Sequence, residues 1–367
     1  MTIKHFGRFG KIMEKLDGVF KNKIVLITGH TGFKGSWLSI WLRELGAIVI
    51  GYALEPYTKK DNFVLCGLKD KITNIIGDVR DYEKLKKVFT KYQPEFVFHL
   101  AAQPIVRESY LNPKDTLDIN IGGTVNIFEC CRLSNSVKVI INVTSDKCYE
   151  NKEWIWGYRE NDPMGGHDPY SASKGCSELI TAAYRNSFFD PQKFNEHGKS
   201  LSSVRAGNVI GGGDWQKDRL IPDCIRALES NKPIKIRNPY ATRPWQHVLE
   251  PLSGYLLLAS KMYQEPISFS GAWNFGPNYE SVISVGEVVS MIVEKWGNGN
   301  WLDTSDKNEP HEAKLLSLDT SKVKNILDWQ PKWDIQKCIE KTVDWYKKYF
   351  TEDIYQLCKK QIESYQQ

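Results

Sequence analysis

Short, continuous apolar runs alternate along this chain with longer segments in which apolar residues recur every three or four positions. The runs are typical of parallel strands buried on both faces, and the longer segments are typical of amphipathic helices. The predicted strands are 24–28, 47–53, 71–76, 96–100, 138–144 and 201–206. The predicted helices are 35–45, 82–92, 115–133 and 170–189. The repeated strand–helix units predict an α/β fold built on a doubly wound parallel sheet.

The pattern becomes less regular after residue 211. Helices are predicted at 219–229, 248–263 and 335–350, and Ser284 with Glu287 forms a capping box ahead of an apolar helix face. Short strands at 235–236 and 273–275 suggest that the chain returns to the sheet. The expected organisation is an N-terminal docking segment (1–22), a dinucleotide-binding domain (23–211, with a return of about 236–278), a smaller C-terminal substrate-binding domain (212–235 and 279–350) and a C-terminal tail (351–367).

Composition narrows the functional classes. The 367 residues carry a net charge of +5 that is mixed along the chain, which disfavours a nucleic-acid-binding surface. The eight cysteines show no CxxC or Cys/His spacing, so no metal site is expected. We expect them to be reduced thiols in a cytoplasmic protein. No apolar run reaches the roughly 18 residues that span a membrane. The sequence is that of a globular enzyme with no nucleic-acid or membrane partner.

A glycine-rich loop lies between the first strand and the first helix. Its glycines, Gly29, Gly32 and Gly35, follow a GxxGxxG spacing. Glycine lets the backbone turn tightly and approach a pyrophosphate, whose charge the helix N-terminus stabilises. This context predicts a Rossmann-type dinucleotide site. No acidic residue ends the second strand to hold the adenosine ribose, so NADP stays open beside NAD, and Asp78 is either an adenine contact or a turn residue.

Five residues form the candidate catalytic set. Tyr170 and Lys174 are four positions apart on a predicted helix, so their side chains lie on one face. A nearby cation favours the phenolate of Tyr170, which then accepts a proton from an alcohol. Ser145 is positioned to hold the same hydroxyl. Asp146 and Lys147 add an acid and a base that alcohol oxidation does not need, which indicates a second reaction or, alternatively, an ion pair that closes a loop.

Together these motifs resemble the extended short-chain dehydrogenase/reductases, and within them the nucleotide-sugar 4,6-dehydratases. The resemblance rests on TGHTGFKG (28–35), GDV (77–79), HLAAQ (99–103), NxxGTxN (120–126), TSDKCY (144–149), YSASK (170–174), RxxN (205–208), RPWQHVLEP (243–251), and the C-terminal Glu312-Ala313 and LxWxP (327–331). Lys147 stands where relatives linked to deoxythymidine or GDP usually carry Glu. That pattern resembles the CDP-linked branch.

The resemblance implies NAD as cofactor, CDP-glucose as the nucleotide-sugar substrate, and a homodimer or homotetramer. The cofactor-binding residues implied are Gly29, Thr31, Gly32, Phe33, Gly35, Asp78, Val79, Ala101, Ala102, Asn120, Tyr170 and Lys174. The substrate-binding residues implied are Asn208, Arg219 and Arg243. For each arginine, a surface or interdomain salt bridge is the alternative.

The implied reaction oxidises C4 of the sugar, eliminates water across C5 and C6, and returns hydride to C6. Tyr170, Ser145 and Lys174 carry the oxidation, Lys147 is the base at C5, and Asp146 is the acid at C6. Three alternatives stay open: a sugar-nucleotide 4-epimerase that uses only Ser145, Tyr170 and Lys174, a dehydratase for another nucleotide sugar, and a non-catalytic NAD-sensing protein.

Overall fold

The computed structural model describes residues 16–305 and 315–367. Most of the predicted docking segment, residues 1–15, lies outside the described residues, as does the Glu312-Ala313 motif. The described part of the docking segment includes a short helix, Leu16–Val19. Leu16 and Phe20 are fully buried in the main hydrophobic core, so this part of the segment packs on the domain that follows it.

The centre of the molecule is a parallel sheet of seven strands, as the apolar runs predicted. The strands are β1 (Ile24–Thr28), β2 (Ile48–Ala53), β3 (Thr73–Ile76), β4 (Phe96–His99), β5 (Val139–Val143), β6 (Ser200–Ala206) and β7 (Gly271–Phe275). Their order across the sheet is β7-β6-β5-β4-β1-β2-β3. The direction of winding reverses between β1 and β4, and ligands bind at the carboxyl ends of strands beside such a switch point.

Helices cover both faces of the sheet. Among the described residues, the helices of ten or more residues are α1 (Phe33–Glu44), α2 (Tyr82–Tyr92), α3 (Gly123–Leu133), α4 (Pro169–Ser187), α5 (Leu220–Glu229), α6 (Leu249–Gln264), α7 (Val285–Trp296), α8 (Ile335–Lys348) and α9 (Ile354–Gln366). One apolar core joins the sheet to α1, α6, α8 and α9, and a second joins it to α2 and α3. None of the helices in the described ranges has the length and apolar character needed to cross a bilayer.

The predicted helix 115–133 is divided into three parts. Pro113–Leu117 and α3 are joined by a π turn, Asp118–Gly122. This turn carries Asn120, one of the predicted cofactor residues. Such wider turns frequently occur at functional sites. The predicted capping box at the start of α7 is confirmed, since Ser284 and Glu287 bond to each other's backbone nitrogens.

Two predictions about the second half of the chain need correction. The 273–275 strand joins the central sheet as β7, but the 235–236 strand does not. Ile234–Ile236 pairs instead with Trp301–Asp303, outside the sheet. Its two isoleucines are buried and Lys235 is exposed, so it has one apolar face, whereas a central strand is buried on both faces.

The predicted tail is the second correction, because residues 354–366 form the helix α9. Its apolar side chains, among them Leu357, Ile362 and Tyr365, recur at helical spacing and are buried. Tyr365 packs edge-on against Trp41 of α1, with 5.9 Å between ring centroids. The helix therefore completes the core on the α1 side of the sheet.

Candidate active site

The glycine-rich loop leaves β1 and leads directly into α1. Gly29 adopts a φ of +76°, and a Cβ there would lie 2.8 Å from the backbone nitrogen of Ala101. A Cβ on Gly35 would lie 2.1 Å from the carbonyl oxygen of Gly29. Only glycine therefore allows the start of α1 to pack this closely on the loop. The result is a side-chain-free cradle at a helix N-terminus, which fits the pyrophosphate of NAD.

The other predicted cofactor residues surround this loop. Thr31 donates its hydroxyl to the carbonyl of Leu54, just after β2, at 2.9 Å. Phe33 is half-buried at the first position of α1. Ala101 and Ala102 follow β4, and the backbone nitrogen of Ala101 donates to the hydroxyl of Thr28 at 3.2 Å. These contacts bring the ends of β1, β2 and β4 to one edge of the sheet.

Asn120 and Asp78 have protein partners of their own. The Asn120 amide donates to the Gln103 carbonyl and, at 2.8 Å, to the Ser173 hydroxyl, and it accepts from the Gln103 backbone nitrogen. Asn120 therefore joins the loop after β4 to helix α4. Asp78 accepts from the backbone and guanidinium of Arg80, which lowers the pKa of its carboxyl. The turn role of Asp78 is thus observed, its adenine contact stays a prediction, and its neighbour Val79 is buried.

Ser145, Asp146 and Lys147 leave β5 in a tight turn. The Ser145 hydroxyl accepts from the Lys147 backbone nitrogen at 3.2 Å and donates to the Asp146 carboxylate at 2.9 Å. Asp146 is only 4% exposed, and this burial raises the pKa of its carboxyl, although Lys147 and Ser145 act in the opposite direction. A carboxyl group whose protonated form is favoured is suited to act as an acid.

Tyr170 and Lys174 lie on α4, facing this turn. Burial raises the pKa of Tyr170 to about 12, while the Ser145 hydroxyl lowers it. Burial lowers the pKa of Lys174 to about 8, and its ammonium lies 3.5 Å from the carbonyl of Val143. The structure thus brings the predicted catalytic residues together at the carboxyl end of β5.

The predicted substrate residues approach the same place from the second half of the chain. Arg219 donates to Asp214 at 2.7 Å, and its charge acts to lower the pKa of Tyr170. The charge of Arg243 acts to lower the pKa of Asp146. Asn208 is half-buried, directly after Gly207, where a Cβ would lie 3.0 Å from the Asp146 carboxylate. Both arginines therefore stand beside the Ser145–Lys147 turn (the catalytic turn, named for its predicted role), and Arg219 also forms a salt bridge.

Lys34 is a functional candidate that the sequence analysis did not identify. It is half-buried at the second position of α1, and no hydrogen-bond or ion-pair partner is found for its ammonium in the described chain. Burial, followed by the charges of Arg219 and Lys174, lowers the pKa of Lys34 to about 8. The sequence contains one signal for Lys34, which is its place directly before the predicted helix 35–45. The helix dipole disfavours a cation at a helix N-terminus, so a lysine at that position indicates a role other than helix stability.

This arrangement can perform proton transfer at two points of one ligand. Tyr170 lies beside Ser145, and Ser145 donates to Asp146, whose carboxyl the charge of Lys147 also affects, so groups able to donate or accept protons stand at two neighbouring points. Within the described ranges no cluster of His, Cys, Asp and Glu could hold a metal ion.

Comparison with known proteins agrees with this geometry. A curated relative, the CDP-glucose 4,6-dehydratase of Salmonella typhimurium, is 51% identical over 348 residues, covering 94% of this chain and 97% of that protein. Among solved structures, the epimerase Mth375 of Methanothermobacter thermautotrophicus has a TM-score of 0.78 at 25% identity, covering 96% of this chain and 98% of that one. A dTDP-glucose 4,6-dehydratase from Bacillus anthracis, in complex with NAD, has a TM-score of 0.72 at 21% identity, covering 89% of this chain and 97% of that one.

The family assignment rests on the sequence as a whole as well as on these relatives. The sequence model of the GDP-mannose 4,6 dehydratase family matches residues 26–342. That range runs from β1 into α8 and contains the glycine-rich loop, the catalytic turn and both arginines. The chain belongs to the GDP-mannose 4,6 dehydratase family.

Proposed function

We propose that this protein is a NAD-dependent lyase that converts CDP-glucose to CDP-4-dehydro-6-deoxy-D-glucose and water. The observation that carries the proposal is the Asp146–Lys147 pair, placed directly after Ser145 and facing Tyr170. An enzyme that only oxidises an alcohol has no use for this second acid and base. The choice of CDP-glucose rests on the 51% identity to the Salmonella CDP-glucose 4,6-dehydratase.

The first half of the reaction uses the α4 residues and Ser145. Tyr170, as phenolate, accepts the proton of the C4 hydroxyl, which Ser145 orients. In this structure burial favours the neutral phenol, so positive charge at the site must shift Tyr170 toward the phenolate. Arg219 supplies such a charge, and Lys174 lies one turn along the same helix. A bound NAD⁺ would supply the hydride acceptor for C4 and, once reduced, the hydride donor for C6, and a proton returns to C5 as the hydride is added.

The second half of the reaction uses the turn after β5. A ketone at C4 makes the C5 hydrogen acidic, and Lys147 is the base that removes it. Asp146 gives its proton to the departing C6 hydroxyl, which requires a protonated carboxyl at working pH. Burial raises the pKa of Asp146 in that direction. Asn208, Arg219 and Arg243 hold the diphosphate end of the substrate, for which the guanidinium groups are suited.

The fit of NAD rests on the cradle formed by Gly29, Gly32 and Gly35. These glycines, with Thr31 and the start of α1, hold the pyrophosphate, and Tyr170 and Lys174 face the nicotinamide end. The end of β2 carries no acidic side chain to bind the adenosine ribose, so the sequence does not decide between NAD and NADP. Measuring the activation of apo-protein by each cofactor compares the two directly.

The homodimer or homotetramer and the cytoplasmic location stay predictions. Size-exclusion chromatography tests the oligomeric state.

The substrate assignment is tested by incubating the protein with CDP-, dTDP-, GDP- and UDP-glucose. Mass spectrometry is expected to show loss of one water from CDP-glucose, with no net accumulation of NADH. Stoichiometric NADH would indicate a simple dehydrogenase. A product of unchanged mass, with the C4 configuration inverted, would indicate the 4-epimerase, which needs only Ser145, Tyr170 and Lys174.

The roles of Asp146 and Lys147 are tested by separating oxidation from elimination. Lys147→Met is expected to retain substrate binding but to stop exchange of the C5 hydrogen with D₂O. Asp146→Asn is expected to slow water loss by on the order of 10²–10⁴-fold, because it cannot donate the proton. Lys152→Met is the control, since Lys152 is half exposed in the following loop. Undiminished water loss in both site variants would show that Asp146 and Lys147 do not carry the elimination.

A further inference from the structure

A buried ion pair lies beneath the catalytic turn. Arg205 Nη2 and Glu178 Oε2 are 2.7 Å apart, and the two side chains are 4% and 3% exposed. Burying two charges costs free energy that their attraction seldom exceeds, so such a pair is weak evidence for a role in stability alone. Its other contacts indicate a different role.

Glu178 binds the residue that precedes the catalytic turn. It lies on α4 one helical turn after Lys174, and its Oε1 accepts from the hydroxyl of Thr144. Its Oε2 accepts from Ser203 of β6 at 2.6 Å. Since Thr144 is bonded directly to Ser145, this carboxylate fixes the start of the catalytic turn to the helix that carries Lys174.

Arg205 binds Tyr149, which lies two residues after the catalytic turn. Its Nη1 donates to the hydroxyl of Tyr149 at 2.6 Å and to the carbonyl of Glu160 at 3.0 Å. Its guanidinium also lies over the Tyr149 ring, 4.9 Å from the centroid. Tyr149 in turn donates to Asn274 of β7 at 2.7 Å. The end of the turn is therefore fixed to β6 and β7.

We propose that the Glu178–Arg205 pair is a positioning device that holds the Ser145–Lys147 turn at both ends against the Tyr170–Lys174 helix. The inference rests on the proposed function, in which these residues exchange protons with a single sugar ring. Reacting groups must be held to within a fraction of an ångström, and a displacement of about 1 Å can cost about 10²-fold in rate. Neither Glu178 nor Arg205 touches the substrate in this role.

The test cuts each contact while leaving the ion pair intact, so that no unpaired charge is buried. Thr144→Val is isosteric and removes only the hydroxyl group that donates a hydrogen bond to Glu178. Thr144→Ser keeps that hydroxyl group. Tyr149→Phe removes the corresponding contact of Arg205. Thr144→Val and Tyr149→Phe are each expected to lower kcat about tenfold, with KM and NAD affinity within about twofold of wild type. Thr144→Ser is expected to restore most of kcat.

A matched control separates positioning from stability. Glu250 is another fully buried carboxylate, which binds Tyr365 and the backbone of Lys332 and Trp333 away from the turn. Glu250→Gln is expected to lower the unfolding temperature with kcat unchanged. If Thr144→Val and Tyr149→Phe keep kcat within twofold, the positioning role is overturned. If wild type removes water from no nucleotide sugar, the proposed function fails instead, so the two failures are distinct.

Discussion

At the scale of single residues, burial determines the starting charge of the catalytic groups. It favours the neutral form at Asp146, Tyr170 and Lys174 alike. The shift at Asp146 is in the direction that an acid requires, whereas Tyr170 must lose its proton before it can accept one. The oxidation step therefore needs added positive charge at the site. We expect NAD⁺ binding to supply that charge.

Substitution of Tyr170 tests the first proton transfer. Tyr170→Phe is expected to reduce kcat by at least on the order of 10²–10⁴-fold, because the ring keeps its packing and loses the only group that accepts the C4 proton. Tyr184→Phe is the control, since Tyr184 lies on the same helix and its hydroxyl bonds to Glu129 at 2.8 Å. Near wild-type turnover in Tyr170→Phe would remove this residue from its role.

Substitution of Lys34 tests the electrostatics of the site. The Lys34 ammonium and Lys174 are like charges that disfavour each other. Removing one raises the pKa of the other, so Lys34→Met is expected to raise the Lys174 pKa above about 8. If protonated Lys174 is required, the alkaline limb of the kcat/KM profile moves to higher pH. Lys34→Arg keeps the charge and is expected to leave that limb in place. An unmoved limb in Lys34→Met would contradict the coupling.

At the scale of elements, the sequence predicted correctly those helices and strands that are determined by the local pattern of apolar residues. The boundaries of β1 and α2 match the predicted limits. A short continuous apolar run indicates a buried strand, and a 3.6-residue period of apolar residues indicates a helix. The 235–236 strand was misplaced because its partner, Trp301–Asp303, was not predicted as a strand: two of its three residues are exposed, so it shows no apolar run. Helix α9 was missed because polar residues such as Gln361 interrupt its apolar face. In the site, the motifs singled out the residues of the Ser145–Lys147 turn, whose catalytic role stays a prediction, but the positions of Lys34 and of the Glu178–Arg205 pair became visible only in three dimensions.

The contact between α1 and the glycine-rich loop can be tested directly. Gly35→Ala places a methyl group 2.1 Å from the Gly29 carbonyl oxygen, so α1 must move away from the loop. We expect NAD affinity to fall at least tenfold and stability to fall by about 1–3 kcal/mol. Gly18→Ala is the matched control, because a Cβ there meets no atom within 4 Å. Isothermal titration calorimetry and urea denaturation measure both quantities, and unchanged NAD affinity would contradict the close-approach requirement.

At the scale of the whole molecule, buried histidines link stability to pH. Burial lowers the pKa of His30 to about 4 and those of His99 and His247 to about 3. Below the unfolded pKa of about 6.5, the unfolded chain binds protons that the folded chain excludes. Their contribution is therefore complete above that pH and is lost as pH falls toward 3–4. Glu250 acts in the opposite direction, since burial raises its pKa to about 7.

Between pH 6.5 and 5.5 each of the three histidines is on average about three-quarters protonated in the unfolded chain, and folded Glu250 holds almost one extra proton, so the expected net uptake on unfolding is about 1.4 protons. Stability is then expected to fall by about 2 kcal/mol over that unit of pH. Urea denaturation at several pH values measures this slope. His247→Phe keeps an aromatic ring beside Trp37 and Trp333 but cannot titrate, so it is expected to reduce the slope by about one proton. An unchanged slope would show that His247 is not one of the linked groups.

The packing of α9 has a consequence for how the protein is made. Residues 354–366 emerge from the ribosome after all the elements that they cover, yet Tyr365 bonds to Glu250 of α6 and packs on α1. Helix α1 begins in the glycine-rich loop. While α9 is still in the exit tunnel, α1 lacks the packing of α9 and cannot hold that loop as firmly as in the complete protein. Domains commonly fold as units during synthesis. The nucleotide-binding half is encoded first, yet its α1 side is covered only after α9 has been synthesised, so we expect full cofactor affinity only once α9 has packed.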